Sequence, residues 1–406
     1  MIRLKDTKHP NTAEFLDSAI RVAEYYGFSP LDDMRISKEK DAKIRAATSR
    51  AESEITFSRR DERGYISAAK RAAAAARTLR QGGGTNNNFL AWRVSGGQGS
   101  VPQQTLELHV VGSSSAIAEA ILLVVANAIA EEAGLRARTL SINNIGSFES
   151  SNRYVRDVGL YLRKHIESIS PTLRPRAVED PLGTLVQLIE KGHPAAPRAP
   201  QSMEYLTEEE RRKFWELLEY LESFGLAYEL SPQVLGSRDF WAHSLYELSM
   251  LDEETGGRLA FATGGRYDPL ATRFTGAHTP AAMIAINVEI RGKARTPRRA
   301  PLPPAIYFAH LGPEARRRSL TVLESLRHAE IPVYQSLLYD KIGEQMVRAR
   351  ELGVPYILIM GYKEAMENTI LVREVATNSQ EAIPMDDISN YLKRRRMGAA
   401  KVEARV

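Results

Sequence analysis

Thr105 to Ser147 reads TLELHVVGSSSAIAEAILLVVANAIAEEAGLRARTLSINNIGS, and three elements are legible in it. TLELHVVG alternates and is rich in β-formers, which predicts a strand. The apolar run from Ala116 is interrupted by Glu119 and Asn127 and ends in acids, so it suits a core helix better than a membrane span. RARTLSINNIG predicts a second strand, closed by a turn at Asn144 and Gly146.

Working outward, Phe89 to Val94 forms a short strand, the antiparallel partner expected for TLELHVVG, between the flexible stretches QGGGTNNN and SGGQGS. Upstream, NTAEFLDSAIRVAEYYGFSPL carries Phe15, Ala19, Val22 and Tyr26 at helical spacing and stops at Gly27 and Pro30. After a polar stretch, ISAAKRAAAAARTLR is helical by propensity, with Lys70, Arg71, Arg77 and Arg80 outward. Downstream, residues 151–202 are helical and then proline-rich. Helix TEEERRKFWELLEYLESFG opens on a capping box of Thr207 and Glu210 and ends at Gly225.

AYEL, HSLYELSM, RLAFATGG and AAMIAINVEI follow as strands of a largely antiparallel sheet. The third of these runs on as FATGGRYDPLA, Phe261 to Ala271, a strand entering a turn. Gly264 and Gly265 are expected there for the backbone conformations that a Cβ disfavours, and Arg266 and Asp268, two apart, project from one face and can pair.

RGKARTPRRAPLPP, with four prolines and five basic residues, is a linker. Beyond it strands and helices alternate from AIYFAHLG to PYILIMG, then a hairpin and a final helix lead into KRRRMGAAKVEARV. That order implies a separate, small α/β domain with a mainly parallel sheet. The expected organisation is a catalytic-type domain over 1–291 with a helical insertion at about 151–225, a linker over 292–304, an α/β domain over 305–393 and a basic tail over 394–406.

At 406 residues the chain needs two or three cores, and its 43% hydrophobic content supplies them. The absence of cysteine excludes disulfides, thiolate metal sites and cysteine nucleophiles. The eight histidines include no His-x-x-x-His pair, so a zinc hydrolase has no support and no metal site is expected. A net charge of +5 permits a polyanionic partner without requiring one. The N-terminus lacks the apolar core of a signal peptide, and the expectation is a soluble cytoplasmic protein.

In order of parts the chain resembles the histidyl-tRNA synthetases, a branch of the class II aminoacyl-tRNA synthetases. Thr263-Gly264-Gly265-Arg266-Tyr267-Asp268-Pro269-Leu270 resembles the family's glycine-rich histidine-site motif. Thr105–Ser147 is similar to the strand, helix and strand that follow its second motif, and residues 303–393 to its anticodon-binding domain. The resemblance implies an antiparallel sheet with flanking helices, a smaller α/β domain, and pairing into a homodimer. It implies ligand contacts from Gly264, Gly265, Arg266, Tyr267, Asp268, Asp239 and Glu247, an ATP phosphate contact from Arg93, and RNA contacts from Lys393, Arg394, Arg395 and Arg396.

The departures bear on activity. Where the family's last catalytic strand ends in arginine, Ile290 stands here, with Arg291 displaced by one residue. Gly236 replaces the arginine of a second loop, and Phe240 and Trp241 its two phenols. The sequence after Arg93 lacks the Glu-Arg-Pro pattern, and FSRRDERGYIS lacks the family's substrate-loop pattern. Arginines grip phosphate because the planar fork keeps its charge and binds two oxygens. Their loss predicts a synthetase-like protein without aminoacylation activity that binds tRNA, another RNA or a protein partner. Two alternatives stay open: a working histidine–tRNA ligase with an atypical site, which would need ATP and Mg2+, and a histidine-sensing regulatory subunit of ATP phosphoribosyltransferase.

Overall fold

The structure is a computed structural model that describes residues 1–36, 42–59, 61–82, 88–96, 102–252, 254–292 and 304–395. The expected linker, with Arg295, Arg298 and Arg299, falls almost wholly outside the described residues, as does Arg396. The chain divides into two compact units, one holding the described residues of Met1–Ala19, Ser29–Leu217 and Ala227–Thr296, the other those of Ile20–Phe28, Leu218–Leu226 and Pro297–Val406.

The helices of the first part of the chain are α1 (Thr12–Tyr25), α2 (Ala42–Ser53), α3 (Glu62–Gln81), α4 (Ile117–Glu132), α5 (Phe148–Lys164), α6 (Arg174–Glu179), α7 (Pro181–Glu190), α8 (Glu208–Phe224) and α9 (Asp268–Thr275). Its strands are β1 (Ser29–Pro30), β2 (Phe89–Gly96), β3 (Gln103–Val111), β4 (Arg138–Asn144), β5 (Tyr228–Leu230), β6 (Ala242–Leu251), β7 (Arg258–Arg266) and β8 (Ala281–Glu289). Among the described residues they form one sheet in the order β1-β2-β3-β8-β7-β6-β4-β5. Every pairing from β2 to β4 is antiparallel, and β1 and β5 add parallel edges. Helix α4 is buried almost all round and packs on β3, β7 and β8, which fixes one face of the sheet as core.

The capping box of α8 forms as its sequence predicts: Glu210 N–H donates to Thr207 Oγ1 at 3.3 Å and Thr207 N–H donates to Glu210 Oε2 at 2.7 Å. Two elements differ from the sequence reading. The polar stretch before α3 contains α2, which lacks the strong apolar stripe that betrays a helix. The turn after Arg266 is the start of α9, whose first turn holds Pro269, a residue that fits where no intrahelical N–H bond is needed.

In the second unit β9 (Ile306–His310), α10 (Pro313–His328), β10 (Tyr334–Gln335), α11 (Ile342–Glu351), β11 (Tyr356–Met360), α12 (Tyr362–Glu367), β12 (Thr369–Glu374), β13 (Gln380–Pro384) and α13 (Ile388–Arg394) build a sheet ordered β10-β9-β11-β12-β13. β9 pairs in parallel with β10 and β11, and β12 and β13 form the hairpin. Gln345, fully buried, ties the end of β9 to the loop after β10: its oxygen accepts from His310 N–H and Ser336 Oγ, and its amide donates to the His310 and Tyr339 carbonyls. Among the described residues no helix is long and apolar enough to cross a membrane.

Candidate functional site

On a strand, residues two apart share a face, and register carries that face across a sheet. The pairings Arg93↔Glu107, Glu107↔Ala285, Ala285↔Thr263 and Thr263↔Glu247 therefore line up one row on the face opposite α4. This row is the floor of the candidate site. Sequence reasoning picked out Arg93 and Glu247 at its two ends and missed the residues between. Thr105, Glu107 and His109 alternate with Leu106, Leu108 and Val110, a polar face that the sequence alone displays.

Arg59, Asp61 and Tyr65, from the segment FSRRDERGYIS, lie over this floor. The Tyr65 hydroxyl lies 3.0 Å from Thr263 Oγ1 and donates to Asp61 Oδ2 at 3.1 Å. Arg59 grips the same Asp61 through Nε and Nη2, each at 3.1 Å, and reaches to 4.0 Å from Glu247. Burial raises the Glu247 carboxyl above its usual range, and Arg59 only partly offsets this.

Beneath them Glu62 is fully buried and accepts four N–H bonds: from Ser58 and Arg59 backbone on one oxygen, and from Ser237 backbone and the Trp241 indole on the other, at 2.7–3.0 Å. Burial pushes this carboxyl up to about 7 while the backbone N–H groups of Ser237 and Arg59 pull it down. The clamp explains Gly236. A Cβ there would sit 2.5 Å from the Trp241 ring and 2.8 Å from Glu62. The position that carries arginine in the resembling family is thus packed shut by an indole.

At the other end of the floor Glu107 is 1% exposed. It accepts from Ser95 Oγ at 3.3 Å, its Oε2 has no partner among the described residues, and burial pushes it up to about 8 against Arg93 and Ser95. His109, two residues on, is lowered to about 3 by burial and then by Arg93, so it is neutral; its Nδ1 lies 3.0 Å from the Tyr267 hydroxyl. Arg93 donates from Nη1 to Ser67 Oγ at 3.0 Å, and its Nε lies 3.5 Å from Asp32.

The glycine-rich segment is built into the fold. Arg266 is 4% exposed; its Nη1 donates to Glu119 at 3.0 Å, its Nε and Nη2 to Asp268 at 3.1 and 3.2 Å, and Nη2 also to the Ser113 carbonyl at 3.0 Å. Glu119 lies on α4, so Arg266 faces away from the floor. Asp268 also accepts Ala281 N–H at 2.6 Å, and Tyr267 is fully buried. Neither glycine takes a positive φ. A Cβ on Gly264 would lie 2.2 Å from the Met283 carbonyl and 2.6 Å from the Tyr246 ring, and one on Gly265 would lie 2.7 Å from the Ser244 carbonyl. Lack of space, rather than the backbone freedom expected from sequence, requires glycine at both positions.

Asp239 is not brought to the floor. It accepts Thr56 N–H at 3.0 Å and reaches Arg273 at 3.4 Å. Arg238 donates to Asn152 and lies over the Phe148 ring. Ile290 and Arg291 follow the end of β8, both exposed, and Arg291 makes its hydrogen bonds with Thr12 through its backbone. In the second unit Lys393, Arg394 and Arg395 are exposed beside the buried anchor Leu392; Arg395 lies over the Tyr391 ring and 3.5 Å from Glu381.

A family model described as "Anticodon binding domain" matches residues 306–395. The histidine–tRNA ligase of Thermosynechococcus vestitus is 28% identical over 287 residues, which cover 70% of this chain and 66% of that protein. The ligase of Bacillus licheniformis is 27% identical over 290 residues, 70% of this chain and 68% of that protein. Among solved structures, apo histidyl-tRNA synthetase of S. aureus is 19% identical with a TM-score of 0.48, covering 94% of this chain and 95% of that one. The sequence matches to the two ligases thus span about two thirds of those relatives' length.

Proposed function

Because this chain belongs to the histidyl-tRNA synthetase family, we propose that it is a non-aminoacylating relative that keeps the class II scaffold and binds RNA of the tRNA type through residues 306–395. One observation carries the reading: the arginines around the cleft are already engaged by the protein's own groups. Arg59 is held by Asp61, Arg93 by Ser67 beside Asp32 and Arg238 by Asn152, while Arg266 is turned away from the floor onto Glu119 and Asp268.

A triphosphate would have to displace Asp61 from Arg59 and compete with Asp32 beside Arg93. Each lost charge-stabilising contact to a transferring group costs about 100- to 1,000-fold in rate. The phosphates of ATP therefore fit these residues poorly. The C-terminal unit supports the binding half of the proposal through its matched domain and the exposed Lys393, Arg394 and Arg395.

Histidine-dependent ATP–pyrophosphate exchange by the full chain is expected at background, together with tRNA binding that weakens steeply between low and physiological salt. Exchange with turnover near 1 per second would establish a working ligase instead. No tRNA binding at low salt would remove the RNA half. Pairing into a homodimer belongs to the same proposal, and sedimentation at micromolar concentration tests it.

A further inference from the structure

We propose that Arg59 is an autoinhibitory occupant of the floor: its guanidinium fills an acidic slot between Asp61 and Glu247 and shuts that slot to free organic cations. The inference rests on the non-aminoacylating reading and extends it from the arginines of the cleft to its carboxylates.

An arginine and an aspartate two apart ordinarily make a solvated local pair of little consequence. This pair is built differently. Asp61 precedes α3 at the position where an aspartate side chain usually caps the first turn, yet it accepts no N–H of that helix. It is turned across the floor instead, where Arg59 Nε and Nη2 each reach it at 3.1 Å, the Tyr65 hydroxyl at 3.1 Å and the Thr263 hydroxyl at 3.3 Å. Thr263 on β7 is in register with Glu247 on β6, and Arg59 Nη2 lies 4.0 Å from Glu247, so the guanidinium sits between one carboxylate before the helix and one on the sheet.

The occupant is held at both ends. Its backbone N–H donates to Glu62 at 3.0 Å, which fixes where the side chain starts, and the planar fork on Asp61 fixes where it ends. Burial works against the Arg59 charge, and Asp61 and then Glu247 more than restore it. Among the described residues no other lysine, arginine or histidine side chain comes within 4.0 Å of either carboxylate. Farther along the row, past Ala285, Glu107 is buried with Oε2 unpartnered among the described residues, so the floor holds more carboxyl oxygen than its own side chains satisfy. Stripped of Arg59, the slot is anionic with two hydroxyls beside it. The chemistry that fits it is a planar guanidinium or a primary ammonium.

Ethylguanidinium, the part of an arginine side chain beyond Cβ, is the probe, titrated calorimetrically into full-chain Arg59→Ala at low salt. One saturable site per chain is expected in that variant, at least about tenfold tighter than in the parent or in Arg59→Ala/Asp61→Asn, and weakened by added salt. The same ligand is expected to raise the unfolding temperature of Arg59→Ala toward that of the parent. Where circular dichroism shows Arg59→Ala unfolded, Arg59→Gln, which keeps a donor for Asp61, takes its place with methylguanidinium as the probe.

Equal binding by the parent overturns the proposal, because the slot is then open with Arg59 in position. So does a folded variant lacking Arg59 that shows no saturable binding, and so does binding that Asp61→Asn leaves unchanged. Histidine-dependent ATP–pyrophosphate exchange by the parent would sink the non-aminoacylating reading, while the titration decides separately whether Arg59 holds the slot.

Discussion

Replacing Arg266 by methionine separates a structural arginine from one that waits for a ligand. The substitution keeps most of the side-chain length and removes the charge from between Glu119 and Asp268, whose side chains are 6% and 17% exposed. Three charge-assisted hydrogen bonds to carboxylates disappear, each worth about 1.5–3 kcal/mol, along with one to the Ser113 carbonyl. Relief of the guanidinium's own desolvation offsets part of that sum, and breaking a buried pair from one side typically costs about 3–5 kcal/mol.

Urea unfolding followed by tryptophan emission reads this directly, since Trp92 and Trp241 are buried in the first unit. With a slope of about 2–3 kcal/mol per molar, the midpoint is expected to fall by about 1–2 M. Adding Glu119→Gln to Arg266→Met neutralises one stranded carboxylate and is expected to recover about 1 kcal/mol or more. A single variant within about 0.5 kcal/mol of the parent would refute the buried-network reasoning and return Arg266 to the list of ligand contacts.

Gly264→Ala forces a Cβ to 2.2 Å from the Met283 carbonyl, a backbone atom that cannot swing away, so a loss of about 3 kcal/mol or more is expected in the same assay. Glu62→Ala strands three backbone N–H groups and the Trp241 indole; it is expected to cost about 3–5 kcal/mol and to shift tryptophan emission to the red, and an unshifted spectrum would count against the clamp.

Glu107 gives a pH test. Its folded carboxyl is raised from 4.5 to about 8, so the folded state holds a proton that the unfolded chain releases. Stability therefore falls as pH rises from about 4.5 to 8, by at most roughly 5 kcal/mol from this group. Glu107→Gln is expected to flatten much of that slope, leaving the share from Glu62, which is raised to about 7; an unchanged slope would refute the assignment.

The strand–helix–strand of Thr105–Ser147, the α8 capping box and the alternation of the second unit were determined by sequence, because periodicity and caps are local properties of neighbouring residues. So was the polar face of β3, visible as Thr105, Glu107 and His109. The tertiary structure alone decided what faces what. Arg266 and Asp268 were legible as a pair two residues apart, but Glu119, which turns that pair into a buried network, comes from a helix far along the chain. Arg59, Asp61 and Tyr65 meet Thr263 and Glu247 across some 200 residues of sequence, and Gly236 is explained only by the Trp241 ring folded against Glu62. Charge and hydrogen-bond partnership act through space over a few ångströms. Whether an arginine is free to hold a phosphate is therefore set by the packed fold.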